Sequence, residues 1–294
     1  MLQKTIIFLF SIVSWAQNDT LSFLKPADTL HLPRKNAVIL SQTTVATSAL
    51  VGLNRLWYKD YPQSNFHFVN DYQEWLQIDK LGHFYSCYHL AKINSDALGW
   101  AGVSRKNRLL YGASSGLLFM TIVEVFDGYS AQWGFSSTDM VANTLGTGLY
   151  VSQEMMWKEQ RITPKFSFHT TSLASARPTA LGSSFAQQLL KDYNGQTYWL
   201  SFNVYAFTKN KTFPKWFNLA IGYGGENMLY AHKTEIGDTR YRQLYVSFDV
   251  DLTKIRTKSH TLKTIFSVLN TIKFPTPTVE FSSLNGCKMH FIYF

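Results

Sequence analysis

Three pairs of polar residues stand at helical spacing in otherwise apolar parts of the first half of the sequence. The pairs are Asp79 with His83, Glu124 with Asp127, and Asp139 with Asn143. Residues that are three or four positions apart lie on the same face of a helix. Because an unpartnered polar group is costly among apolar residues, we expect the three pairs to meet in one polar cluster, in which Asp79 accepts a hydrogen bond from His83.

Such a cluster has three interpretations, and the residues alone leave all of them open. An imidazole with several carboxylates is a donor set for a divalent metal. The candidate ligands are Asp79, His83, Glu124, Asp127 and Asp139. The same groups also suit acid/base chemistry, with His83 moving a proton and Asp79 orienting its ring. In the structural interpretation, buried hydrogen bonds and an ion pair of Lys80 or Arg108 fix the register of the helices.

Four predicted helices carry or precede these residues. They cover Asn36–Tyr58, Gln77–Lys92, Asn107–Phe126 and Ser137–Trp157, and Ser137 or Thr138 is the expected N-cap of the last. Two glycine pairs, Gly112 with Gly116 and Gly146 with Gly148, predict close approach between helices. The sequence therefore predicts a helical bundle over residues 17–160.

After Pro164 the sequence alternates aromatic and polar positions, which is typical of strands. The predicted strands cover Gln196–Phe207, Phe217–Tyr223, Tyr241–Leu252 and Lys288–Phe294, with one short helix over His260–Ile272. The predicted class is therefore α+β: an N-terminal helical bundle, then a strand-rich antiparallel half over residues 161–294. Aromatic-ended strands are typical of outer-membrane barrels, but about five to seven runs are fewer than the eight strands that a bacterial single-chain barrel needs. A small antiparallel sheet with an exposed aromatic face is the alternative.

The first residues are typical of a secretory signal peptide. Lys4 supplies a positive charge, Thr5–Val13 is a short apolar run, and the Ser-Trp-Ala sequence that ends at Ala16 suits cleavage there. The run is too short to span a bilayer, and no cysteine near the cleavage point offers a lipid anchor at this site. We therefore expect residues 1–16 to be removed and the rest to be exported to the periplasm or outer membrane.

Composition excludes several classes of protein. Of the 294 residues, 46% are hydrophobic and 16% charged, which is the composition of a folded chain and not of a disordered one. A mean hydropathy of -0.11 argues against a bundle of many membrane-spanning helices. Two cysteines, Cys87 and Cys287, exclude a disulfide framework and a CxxC zinc site.

The positive charge lies in the second half of the chain. Residues 17–156 contain 10 Lys/Arg and 11 Asp/Glu, whereas residues 157–294 contain 17 Lys/Arg and 8 Asp/Glu. The net charges are thus -1 and +9. Because an exported protein rarely meets nucleic acid, we expect no nucleic-acid partner, and an anionic envelope lipid or membrane surface is the expected counterpart. A solvated basic surface without a partner is the alternative.

The motifs also resemble a known family. Asp79–Phe84 (DKLGHF), Glu124–Asp127 (EVFD) and Ser137–Gly146 (STDMVANTLG) follow the order seen in the YfiM-type predicted periplasmic lipoproteins of unknown function, and that order is similar to VanZ-like membrane proteins. The resemblance covers roughly residues 71–151. It implies that the six polar residues belong together, and it implies no particular reaction.

We therefore expect an exported, membrane-associated cell-envelope protein of an uncharacterised, YfiM-like family, located in the periplasm or outer membrane. Its polar cluster is expected to be structural or ligand-binding, and a divalent metal is the one cofactor that the residues suggest. The alternative is a metal-dependent hydrolase acting on an envelope lipid or glycan. The sequence leaves open whether the protein is an enzyme, what its substrate is and which proteins it binds.

Overall fold

The computed structural model describes residues 23–59, 61–233 and 239–293. The expected signal peptide, residues 1–16, lies outside the described residues. Four long helices come first: α1 (Leu32–Leu53), α2 (Ile78–Trp100), α3 (Arg105–Gly128) and α4 (Ser137–Met156). Two short parallel strands, β1 (Phe68–Val69) and β2 (Phe135–Ser136), pair with each other and join the segment before α2 to the segment before α4.

Some helices begin or end at residues other than those predicted, because local capping interactions fix the helix ends. The N-cap of α4 is Ser136, not Ser137 or Thr138, because the Ser136 hydroxyl accepts a hydrogen bond from the Asp139 amide at 3.1 Å. Helix α2 runs to Trp100, eight residues beyond the predicted end at Lys92, and the chain then turns at Gly102, whose φ is 76°. The cap at Ser136 matters for the site, because it holds Asp139 in the first turn of α4.

Helix α2 packs against both α3 and α4, and glycines set how closely these two helices approach it. Gly112 of α3 lies against the backbone of Ser95, and Gly146 of α4 lies against the carbonyl oxygen of Phe84, both on α2. A Cβ on either glycine would clash with backbone atoms. Gly148, which the sequence pattern also suggested as a contact, faces open space instead.

The second half forms a six-stranded sheet in which every pair of neighbours is antiparallel and the strands follow one another in chain order. The strands are β3 (Ile162–Phe168), β4 (Gln196–Asn203), β5 (Phe217–Glu226), β6 (Tyr241–Val250), β7 (Thr276–Ser282) and β8 (Gly286–Tyr293). The short helices between them are α5 (Leu173–Ala176), α6 (Pro178–Leu181), α7 (Phe185–Lys191), α8 (Val204–Thr208) and α9 (His260–Leu269). The α+β class and the antiparallel C-terminal sheet predicted from the sequence are confirmed. Strands β3 and β7 were not among the predicted runs, and the run predicted to end at Phe207 stops at Asn203, whose side chain caps α8.

The sheet is strongly curved, and its inner face buries charged and polar side chains beside the cluster of Trp199, Ala220 and Tyr245. Lys165 of β3 reaches across to β6, where its Nζ lies 2.7 Å from the carboxylate of Asp249, and both side chains are fully inaccessible to solvent. Tyr293 of β8 likewise reaches Thr197 of β4, at 3.1 Å between the hydroxyl oxygens. These contacts join strands that are not neighbours in the sheet, so its polar side chains face one another in an enclosed interior.

The sheet packs against α2 through polar contacts. The His89 Nε2 lies 2.9 Å from the carbonyl oxygen of Pro164 in β3, and the Tyr85 hydroxyl donates to the carbonyl oxygen of Thr271 at 3.2 Å. Tyr85 also contacts the ring of Tyr198 on β4. Helix α2 therefore carries the polar cluster at its first turns and the sheet along its side.

Two helices in the described part of the chain, α1 and α3, are long and apolar enough to cross a membrane. Only 6% of the most apolar stretch of α1 and 22% of that of α3 is buried inside the protein. A core helix of a soluble protein would be mostly buried, so these two helices are not explained as core helices.

Substitution of the two α4 glycines tests the close helix contact. Gly146→Ala should lower the free energy of unfolding by about 1–3 kcal/mol, because the new methyl group meets the Phe84 backbone, which cannot move aside alone. Gly148→Ala is the matched control: it adds the same methyl group to the same helix in open space and should be neutral or stabilise by up to about 1 kcal/mol. Equal effects of the two changes in chemical denaturation would contradict this packing.

Candidate functional site

The six residues singled out in the sequence lie at one end of the helical bundle. Asp79 and His83 stand in the first turns of α2, and Asp139 and Asn143 in the first turns of α4. Glu124 and Asp127 stand in the last turn of α3. Because α3 ends where α2 and α4 begin, the three pairs face a common space and form the polar cluster.

The ammonium group of Lys80 lies at the centre of the polar cluster. Its Nζ is 2.5 Å from Asp71, 3.0 Å from Asp79 and 2.8 Å from Asp139. Lys80 itself is 8% exposed, so these are buried ion pairs. The ion pair of the structural interpretation therefore belongs to Lys80; Arg108 makes no salt bridge to a carboxylate within the described ranges.

Asp71 is the functional-site residue that sequence reasoning missed. It accepts hydrogen bonds from the hydroxyls of Ser136 at 2.6 Å and Thr138 at 2.7 Å, in addition to the ion pair with Lys80. Burial disfavours its charged form, but these three donors outweigh burial and lower the pKa of Asp71 from 3.8 to about 2. Asp71 precedes α2 in a loop, so no helical spacing relates it to the other residues and periodicity could not reveal it.

His83 faces Asn143 and Glu124 more closely than Asp79. Its Nδ1 lies 3.2 Å from the Asn143 side-chain oxygen and 3.4 Å from Glu124 Oε1. Its Nε2 lies 3.9 Å from Asp79 Oδ1, which is too far for a hydrogen bond. The predicted Asp79–His83 hydrogen bond is therefore wrong, because the Asp79 carboxylate is held by the Tyr193 hydroxyl at 2.8 Å and by Lys80.

The two carboxylates of α3 have different surroundings. Asp127 accepts a hydrogen bond from the Tyr58 hydroxyl at 2.8 Å, which ties the turn after α1 to the cluster. Glu124 is 1% exposed, and its Oε2 accepts from the amide of Ser136 at 3.2 Å. Its other oxygen, Oε1, is buried and has no hydrogen-bond partner among the described residues. An unsatisfied buried carboxylate oxygen is costly and calls for a proton or a cation.

The geometry suits a cation. Asp79, His83 and Asp139 each offer one ligand atom, and these three atoms lie within 4.8 Å of one another. Glu124 lies next to His83. Carboxylate oxygens and an imidazole nitrogen are ligands of zinc and of manganese. The side chains of Asp79 and His83 remain 21% and 14% exposed, so this side of the cluster is accessible while Glu124 and Asp139 are closed off.

One comparison with known proteins bears on this region. Residues 67–153 match the model of a family described as a predicted periplasmic lipoprotein (DUF2279). The match includes Asp71, the whole polar cluster, helices α2 and α3 and most of α4, and it supports an exported protein of the periplasm and cell envelope. The closer likeness to YfiM-type and VanZ-like proteins stays a prediction. Neither the search of curated proteins nor that of solved structures finds a match.

Substitution of Lys80 tests whether its ammonium holds the cluster together. Lys80→Met keeps the length of the side chain but leaves Asp71 and Asp139 buried without their cation, and it should lower the free energy of unfolding by about 3–5 kcal/mol. Lys92→Met, on the same helix, removes a partly exposed ion pair with Asp96. This variant should change the free energy of unfolding by no more than about 0.5 kcal/mol. If both variants unfold at the same denaturant concentration, Lys80 does not have this role.

Proposed function

We propose that this is an exported cell-envelope protein whose polar cluster binds one divalent cation. The observation that supports the proposal is a shortage of positive charge. Among the described residues, the cluster contains five carboxyl groups and one ammonium group, that of Lys80, which contacts three of the five. The carboxylates belong to Asp71, Asp79, Glu124, Asp127 and Asp139. Buried anions are strongly destabilising unless they are paired, so further positive charge is needed there.

The carboxylates divide between two roles. Asp71 and Asp127 are already satisfied by neighbouring donors, Asp71 by two hydroxyls and Asp127 by the Tyr58 hydroxyl. The groups that lie close enough together to share a cation are Asp79, His83 and Asp139, with the buried Oε1 of Glu124 beside them. In this arrangement Lys80 keeps Asp79 and Asp139 in position, and the neutral imidazole of His83 completes the ligand set.

Metal binding by the detergent-solubilised full chain tests the proposal. After dialysis against Zn²⁺ or Mn²⁺, the wild type should retain metal, and a chelator should then lower its melting temperature by mass action. His83→Ala and Asp139→Asn should each lose the bound metal, because each removes one of the three grouped ligands. Bound metal is measured by elemental analysis.

Two substitutions outside the cluster serve as controls. His169→Ala and Asp96→Asn change exposed residues of the same two types and should leave the metal content unchanged. If the wild type retains no metal and its melting temperature does not respond to chelator, the missing positive charge is supplied by protons. The cluster is then structural, and the metal proposal is wrong.

The accessible side of the cluster favours a second candidate function, metal-dependent hydrolysis of an envelope lipid or glycan. A metal at Asp79 and His83 would be open to water, and a bound metal supplies activated water for attack on an ester or glycosidic bond. The Oε1 of Glu124 has no hydrogen-bond partner among the described residues and could accept the proton from that water.

Substitution of Glu124 separates metal binding from hydrolysis. We expect Glu124→Gln to retain the metal but to lose hydrolysis of phospholipid, lipopolysaccharide or peptidoglycan fragments, since an amide cannot take the proton. Metal content and product release are measured on the same sample. A wild type that is loaded with metal and cleaves none of the three substrates would exclude the hydrolase and leave the binding function standing.

We further propose the outer membrane, with its anionic lipids, as the location of the protein. The support is the basic half of the chain, residues 157–294, with its net charge of +9. The periplasmic description of the matched family is compatible with this location.

A further inference from the structure

The surface of α1 is apolar over the thickness of a membrane. The 19 residues from Asn36 to Asn54 contain no charged side chain, and they are bounded by Lys35 and Arg55. At about 1.5 Å per residue this stretch is about 28 Å long, close to the roughly 30 Å hydrocarbon core of a bilayer. Its apolar side chains point outward: Leu40 is 64% and Val45 68% exposed.

Helices α3 and α4 continue this surface. The 15 residues from Leu109 to Val123 of α3 carry no charge, and Leu118 is 60% exposed. On α4, Val141 and Leu145 are each 59% exposed. None of these side chains belongs to a core cluster of the protein.

The outer face of the sheet is apolar as well. One row of side chains runs in register across five strands and is formed by Leu200, Ile221, Val246, Val279 and Met289. Adjacent rows contain Phe202, Leu219 and Phe248 on one side, and Leu244 and Phe281 on the other. The inner face carries the buried Lys165, Asp249 and Ser201, together with the enclosed cluster of Trp199, Ala220 and Tyr245. An exposed face this apolar, with ion pairs buried on the opposite face, is unusual for a soluble sheet and is typical of strands in lipid.

The apolar surfaces of the helices and the sheet lie at the same level. At one end, Arg242 of β6 donates to Gln77, the residue before α2, at 3.0 Å. At the other end, Lys254 after β6 pairs with Glu159 after α4, at 3.3 Å. The eight-residue distance along β6 from Arg242 to Val250 is about 27 Å at about 3.4 Å per residue, which matches the length on α1.

Basic and aromatic side chains bound the sheet at the end near Lys254. A cleft there is lined by residues that suit lipid phosphates and the membrane interface, namely Lys211, Lys215, Lys254, Arg256, Tyr205 and Trp216. Basic groups attract anionic headgroups, and tryptophan and tyrosine are enriched at the level of the headgroups.

We propose that this apolar belt, formed by α1, α3, α4 and the outer face of the sheet, is embedded in a lipid bilayer whose anionic headgroups contact the basic cleft. The inference rests on the proposed envelope location and identifies lipid as the partner. A second copy of the chain could cover one of these surfaces, but the belt includes both the outer sheet face and the helix surfaces. Only a surrounding solvent of acyl chains covers all of them.

Labelling of single cysteines in the full chain tests the belt. In a Cys287→Ser background, Val45→Cys and Val246→Cys place a thiol on α1 and on the sheet, and Thr212→Cys places one at an exposed position beside the basic cleft. Each variant is reconstituted in vesicles of phosphatidylethanolamine and phosphatidylglycerol, with a charged maleimide on both sides of the bilayer. We expect Thr212→Cys to be labelled, and the two belt variants to stay unlabelled until detergent dissolves the vesicles.

Three results would overturn the proposal. The belt cysteines could react as fast as the control in intact vesicles, or high salt alone could strip the protein from them, which means peripheral binding. The belt cysteines could also be protected without lipid in a monodisperse dimer, which means that a second copy covers them. Metal binding is measured in detergent, so loss of either proposal leaves the other testable.

Discussion

The rest of the structure depends on the buried ion pairs of the Lys80 ammonium group. It pairs with Asp71 in the loop before α2, with Asp79 on α2 and with Asp139 on α4, and so joins three segments that are far apart in the chain. A buried charge that loses its partners destabilises the fold by more free energy than the intact ion pair contributes. The start of α2, the start of α4 and the loop must therefore keep one arrangement.

That arrangement leaves two further carboxyl groups on the side of the cluster that faces α3. Glu124 and Asp127 approach from the end of α3 and bring no cation with them. Asp127 is satisfied by Tyr58, whereas the Oε1 of Glu124 is left beside His83. The proposed cation site thus follows from the same geometry that stabilises the bundle, because the residues that fix the helices also hold the free ligands in place.

The exposed surface of the described residues is unusually apolar for a soluble protein. The inner face of the sheet and the end of the bundle bury ions and hydrogen bonds, while α1 and the outer strand faces expose leucine, valine and phenylalanine. In water, these exposed apolar side chains would gain nothing from the hydrophobic effect. In a bilayer this distribution is favourable, since internal polar groups satisfy one another and the apolar surface meets acyl chains.

The sequence alone determined the helices of the cluster, the α+β class and the three polar pairs, because helical periodicity and strand alternation are local properties. It could not identify Asp71, Tyr58 or Tyr193 as partners in the cluster, since loop and inter-element contacts have no fixed spacing. Nor could it distinguish Gly146, which touches α2, from Gly148, which does not. Only the tertiary structure shows that many apolar side chains point outward. The periodicity and composition of an apolar helix or strand face are the same whether that face packs in a protein core or contacts lipid.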